Sequence, residues 1–267
     1  MLEMVTLNAK THLRFFARNR LILVLSILML GFAALSLVPS LFLATSVGRF
    51  ELMRMILSQL GGLCLIVTSS LGLLSVSSHV RGRTLSLVVT KPCSPEVWLA
   101  ALFVAGATVV AAVHLGLAGL AAGLSAAWGV PYQAGFAFVA VDGFFRAMIW
   151  FSYLTALGAA FHPVLAVLIA LLLNEETLYG LKFMIAASVE ARGPSTLLSG
   201  TQALADGLYF VVPMVKPLSQ KTEDLYSSYR VIASDWPVLL GIGGYTCLTV
   251  AFFFALSALL VRRRPLA

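Results

Sequence analysis

The feature that most restricts this chain is the length of its uncharged runs. Five stretches contain no Asp, Glu, Lys or Arg: Leu21 to Gly48, Met55 to Val80, Val97 to Val141, Ala147 to Asn174 and Trp236 to Val261. A helix of about 20 apolar residues crosses a bilayer, so each run is long enough to span one. Charged residues make up 11% of the 267 and hydrophobic ones 60%, whereas a soluble domain carries about a quarter charged. A water-soluble globule is therefore excluded. The spans use most of the chain, which leaves no room for a separate catalytic or nucleotide-binding domain.

The third and fourth runs, broken only by Asp142 and Arg146, are too long for two helices. Turn signals divide them at Trp128-Gly129-Val130-Pro131 and at Phe161-His162-Pro163. The chain reads as a single all-α integral membrane domain over residues 1–267, with six transmembrane helices near 21–43, 55–78, 98–127, 135–160, 163–186 and 236–261. The stretch after Arg20 far exceeds the roughly 7 to 15 apolar residues of a signal peptide, so it is expected to remain as the first span. Cys64, Cys93 and Cys247 lack the spacing of a metal site or a disulfide framework and read as small buried apolar residues.

Basic residues orient the bundle, because Lys and Arg accumulate in cytoplasmic segments. Lys10, Arg14, Arg18 and Arg20 precede span one, Arg81, Arg83 and Lys91 lie between spans two and three, and Arg262, Arg263 and Arg264 end the chain. With six spans these ten of the eighteen Lys and Arg share one side. The expectation is a bacterial inner-membrane protein with both termini cytoplasmic. The opposite side receives the Thr45 to Arg54 loop, the Trp128 to Gln133 turn and an extracytoplasmic segment over 187–235. The net charge of +7 is thus a membrane signal and not a nucleic-acid one.

Residues 1–20 form an amphipathic pattern. Leu2, Val5, Ala9, Leu13 and Phe16 fall on one helical face, with Lys10, Arg14 and Arg18 opposite, as in a helix lying on the leaflet surface. In the late segment, Leu197, Thr201, Leu204, Leu208 and Val211 recur at helical spacing from Ser195 until Pro213. Charges of both signs around them suit a solvated cap.

No phosphate loop, zinc-protease helix or nucleophile elbow is present, and His12, His79, His114 and His162 are dispersed. The chain is not expected to be an enzyme or to hold a metal. His114 reads as a neutral imidazole bonded to a neighbouring helix. Ionisable residues at membrane depth mark possible substrate paths. Asp142 and Arg146, four apart, share a helical face near the outer end of span four. Glu175 and Glu176 come only about 18 Å after Pro163 at helical rise, which implies a cavity or, preferably, a bent or broken fifth helix.

The loop over 79–97 is the most informative segment. It runs from His79 and Arg81 through Leu85, Val88 and Val89, which share a helical face, to Pro92 and Pro95, which stop a helix. Gly82-Arg83-Thr84-Leu85, Leu87-Val88 and Thr90-Lys91-Pro92-Cys93-Ser94 resemble the Gly-Thr-Leu, Leu-Leu, Lys/Arg-Pro-Val/Ile-Ser pattern of type-2 ATP-binding-cassette (ABC) exporter permeases. Leu208-Tyr209-Phe210-Val211-Val212-Pro213 is similar to their late aromatic and proline run. Val80-Arg81 replaces a frequent acidic residue, and Trp98-Leu99-Ala100-Ala101 replaces a frequent Gly-Lys.

The resemblance implies that this loop is a short cytoplasmic coupling helix, with Arg81, Gly82, Arg83, Thr84, Leu85, Val88, Val89, Lys91 and Pro92 contacting a separate ABC ATPase. ATP and Mg would bind that ATPase, with no cofactor on this chain, and a second permease copy or a related subunit would complete the path. The other reading is a non-transporting structural or assembly subunit of a larger membrane complex.

Overall fold

The computed structural model describes residues 2–20, 27, 31, 48–81, 94–192, 196–213 and 227–263. Among them every regular element is a helix. In chain order these are α1 (Leu2–Arg18), α2 (Arg49–Arg81), α3 (Pro95–Trp128), α4 (Gly135–Ala160), α5 (Pro163–Leu172), α6 (Glu175–Arg192), α7 (Thr196–Val211) and α8 (Asp235–Arg263). Four of them, α2, α3, α4 and α8, are long and apolar enough to cross a membrane. The α5–α6 pair passes the same test as one span bent by 44°. Helices α2, α3, α4 and α8 match expected spans two, three, four and six, and the α5–α6 pair matches the fifth if the bent pair is one span; of the first, 21–43, only residues 27 and 31 are described.

The turn residues act as their chemistry requires. Gly129 adopts φ 67°, a left-handed position, and its N–H donates to the Ser125 carbonyl to close α3. His162 caps α5 by accepting from the Val164 N–H at 3.2 Å, and Pro163 occupies the first turn, where its missing N–H costs nothing.

Helix α4 is the hub, packing against α2, α3, α5 and α8. Glycines allow the close approach. A Cβ on Gly72 of α2 would fall 2.9 Å from the Phe151 carbonyl oxygen, and one on Gly106 of α3 would fall 2.7 Å from Phe151 Cε2. The buried Phe151 ring is thus held between α2 and α3, edge-on to Phe103 at 5.4 Å. Small residues at such contacts let van der Waals packing work where lipid supplies no hydrophobic drive.

One end of the bundle gathers α1, the end of α2, the start of α3 and the end of α8, with Phe16, Val76, Trp98 and Val261 in one buried cluster and Arg262 paired with Glu96. The amphipathic pattern of α1 is observed: Ala9 and Phe16 are buried, Val5 and Leu13 partly so, and Lys10, Arg14 and Arg18 are exposed. The buried face also includes His12, edge-on to Trp98 at 5.3 Å. This face therefore packs on α3, a protein contact that its moment alone does not distinguish from a lipid one.

Several expected boundaries move. Arg49 to Arg54 is not loop but the first turns of α2, extended past its apolar stretch by the Glu51–Arg54 ion pair at 3.0 Å. Residues 79–81 end α2 and 95–97 begin α3, which shortens the loop assigned to 79–97. Within 187–235, Glu190 and Arg192 belong to α6. Helix α7 ends before Pro213, as expected, but Ala205 is buried and Leu204 is 63% exposed. It pairs with α6, and Lys182 Nζ lies 2.6 Å from Asp206 Oδ1. Cys64 is half-buried and Cys247 exposed, so neither is the fully buried residue expected from sequence.

Candidate functional site

At the other end of the bundle, three segments distant in sequence are tied by backbone carbonyls. Arg49 donates to Trp128 O at 3.0 Å and Arg54 to Ser227 O at 2.7 Å. The Gly135 N–H donates to Tyr229 O at 3.1 Å. Tyr229, at φ 54°, is buried with its ring 4.3 Å from Phe136 and against Phe50. A Cβ on Gly135 would fall 2.6 Å from Tyr229 Cα, so only glycine admits this backbone here. Burial pushes the Tyr229 phenol up, opposed by the Arg54 charge, and the ring stays neutral.

From this end a cavity of about 530 Å³ runs between α2, α3 and α4. Its size falls within the roughly 300–1,000 Å³ of small-molecule sites. Arg54, Phe136 and Tyr229 stand at its rim and Leu65, His114, Gly143 and Arg146 at its base. From Arg54 to Leu65 the helical rise gives a depth of about 16 Å. Gly61 and Gly62 open the α2 wall, and a Cβ on either would meet nothing within 4 Å.

The base is polar in a specific way. Arg146 Nε donates to Asp142 Oδ2 at 2.7 Å; the Asp142 side chain is 1% exposed and that of Arg146 27%. Asp142 Oδ1 has no hydrogen-bond partner among the described residues. Arg146 forms part of the cavity wall and Asp142 does not. The pair lies about 10 and 16 Å along α4 from Gly135. His114 Nδ1 lies 2.8 Å from the Val110 carbonyl. A carbonyl can only accept, so Nδ1 carries the proton and Nε2 is the acceptor. Its hydrogen bond is thus to its own helix and not to a neighbour. The ring fits because its α4 neighbour is Gly143, where a Cβ would fall 2.7 Å from His114 Cδ2.

No family model and no curated protein matches the chain. The site's chemistry therefore rests on its own geometry: an Asp142–Arg146 ion pair whose arginine lines a mainly apolar cleft.

Glu175 and Glu176 take no part in this cavity. The chain breaks at Leu173-Asn174, and Asn174 Oδ1 accepts from the Thr177 N–H at 2.8 Å as the cap of α6. The two glutamates then occupy the first turn, where the helix dipole favours negative charge. Tyr153 of α4 covers the break by donating its hydroxyl to Leu173 O at 3.2 Å. A break with a bend of 44° is observed between α5 and α6, where a bent or broken helix is expected from sequence, and capping accounts for the position of the acids. The Asn-Glu-Glu-Thr sequence carried that cap signal. Arg54, Ser58, Gln59 and Tyr229, which the sequence reading did not single out, line the cavity. Of the coupling residues, Arg81 ends α2, while Gly82, Arg83, Thr84, Leu85, Val88, Val89, Lys91 and Pro92 lie outside the described residues.

Proposed function

We propose that this chain is the transmembrane permease subunit of an ABC exporter, forming a substrate path with a second copy or a related subunit. A separately encoded ATPase docks on the segment between α2 and α3 and supplies the work. The observation that carries this reading is the Gly82-Arg83-Thr84-Leu85 to Lys91-Pro92-Cys93-Ser94 sequence between two span-length helices. It is supported by the gathering of α1, Glu96 and Arg262 at the bundle end where those helices stop and start, and by a charged cavity opening toward the other end.

In this reading ATP hydrolysis moves the docking segment. The force passes into α2 and α3, which flank the cavity together with α4, so a tilt of the pair alters the cavity walls. Purification of the tagged chain from its native membrane tests the proposal. An ABC ATPase should co-purify, and Leu85→Asp or Val88→Asp should abolish its association and ATPase stimulation while the permease remains folded. Recovery of the intact membrane protein with no ATPase, or an association indifferent to both substitutions, refutes it.

A further inference from the structure

We infer that the cavity between α2, α3 and α4 binds a compact, uncharged, hydroxyl-bearing molecule whose hydroxyl donates to His114 Nε2. The inference rests on reading the cavity as part of the substrate path and adds the class of substrate.

The charges in the lining are already committed. Arg54 is paired with Glu51 at 3.0 Å and donates to Ser227 O at 2.7 Å. Arg146 is paired with Asp142 at 2.7 Å and makes a further interaction. Neither arginine lacks a counter-charge, and the described lining contains no Asp or Glu to receive a cation. An ionised guest would therefore give up its hydration in this cleft without gaining a partner of opposite charge.

The uncommitted groups are neutral. His114 is 3% exposed. Its Nδ1–H donates to the Val110 carbonyl at 2.8 Å, which leaves Nε2 as an acceptor, and Nε2 has no hydrogen-bond partner among the described residues. The Nε2–Cδ2 edge lies against Gly143, where a Cβ would fall 2.9 Å from Nε2, and both residues line the cavity. A buried acceptor without a donor is costly, and a guest that supplies the donor removes that cost.

Ser58 and Gln59, on the α2 wall between rim and base, likewise bond to no described residue. They offer neutral partners to a second polar group of the guest, among the apolar side chains of Leu57, Leu117, Ala118 and Val139. A cavity of about 530 Å³ is of small-molecule size and suits a ring system better than a two-chain lipid.

Four naphthalene probes substituted at the same ring position separate the possibilities: naphthol, its methyl ether, naphthoate and naphthylmethylammonium. Binding is measured at neutral pH by equilibrium dialysis of the purified chain in phosphatidylcholine nanodiscs, against empty nanodiscs. Naphthol should bind saturably and at least about tenfold more tightly than each of the other three. His114→Phe keeps an aromatic ring and removes the acceptor, so it should bring naphthol to the affinity of the ether and leave the ether unchanged. Gly61→Leu, built into open space, should weaken naphthol binding with His114 intact. Dioleoylglycerol, a membrane lipid with the same donor, should not displace naphthol.

Equal binding of naphthol and ether to the unaltered protein overturns the inference. So does tighter binding of naphthoate or the ammonium probe, displacement by dioleoylglycerol, or naphthol binding indifferent to His114→Phe or Gly61→Leu. The ranking of the four probes uses the unaltered protein alone, so it decides the matter even where His114→Phe fails to fold. No ATPase is present in this experiment. Failure here therefore leaves the coupling proposal standing, and failure of ATPase association leaves this binding result standing.

Discussion

The Asp142–Arg146 pair predicts an asymmetry that separates its two halves. Asp142 is 1% exposed and its partner 27%, so removing one residue is not equivalent to removing the other. Arg146→Gln leaves a carboxylate enclosed without its counter-charge, a change that costs about 3–5 kcal/mol when a buried pair is broken. Asp142→Asn leaves a guanidinium that still faces the cavity and can still donate to the new amide oxygen, at a cost of about 1 kcal/mol. The double variant removes both charges and should resemble Asp142→Asn, recovering about 2 kcal/mol or more of what Arg146→Gln loses. Denaturant unfolding of the purified chain in mixed micelles, followed by tryptophan fluorescence, measures all three. Arg146→Gln within about 1 kcal/mol of Asp142→Asn, or a double variant no more stable than Arg146→Gln, would refute the burial argument by showing that the carboxylate is solvated.

Three further outcomes follow from packing and capping. Gly106→Ala drives a methyl into the enclosed Phe151 ring and should cost about 1–3 kcal/mol in the same unfolding assay, whereas Gly119→Ala on the same helix meets nothing and should cost nothing. Gly143→Ala should displace the His114 ring, seen as a shifted imidazole resonance, with a loss of about 1–3 kcal/mol. Asn174→Ala removes the cap of α6 and should cost about 1 kcal/mol, with faster hydrogen exchange confined to the first turn after the break; Asn174→Asp should retain protection.

Helix existence was largely legible because lipid imposes a length and an absence of charge that a reader can count. The limits of α4 coincide with those read from sequence because Gly129-Val130-Pro131 and His162-Pro163 interrupt the backbone there. The limits of α2 were not legible, since an ion pair lets a helix continue where hydropathy stops. The i,i+4 geometry of Asp142 and Arg146 could be read, but not which of the two faces a cavity. That depends on α2 placing Gly61 and Gly62 opposite α3, which is a tertiary fact. His114 was visible as a buried imidazole, but its partner was not, because a ring on a helix reaches both its own preceding turn and the next helix. Lys182 and Asp206 meet only because α6 and α7 fold back on each other.

The charge that polarises the cavity also bears on how the protein reaches its membrane. Each ionised residue near a helix centre adds roughly 2.5–3.5 kcal/mol to the cost of insertion, and α4, with Asp142 and Arg146, is the least apolar of the four span-length helices. Yet α2, α3, α5 and α8 all pack on it. Because α2 and α3 precede α4 in the chain, α4 should enter most readily where their faces receive it. The helix least able to partition by itself is thus the one whose arrival completes its neighbours, which makes biogenesis of this bundle a cooperative event.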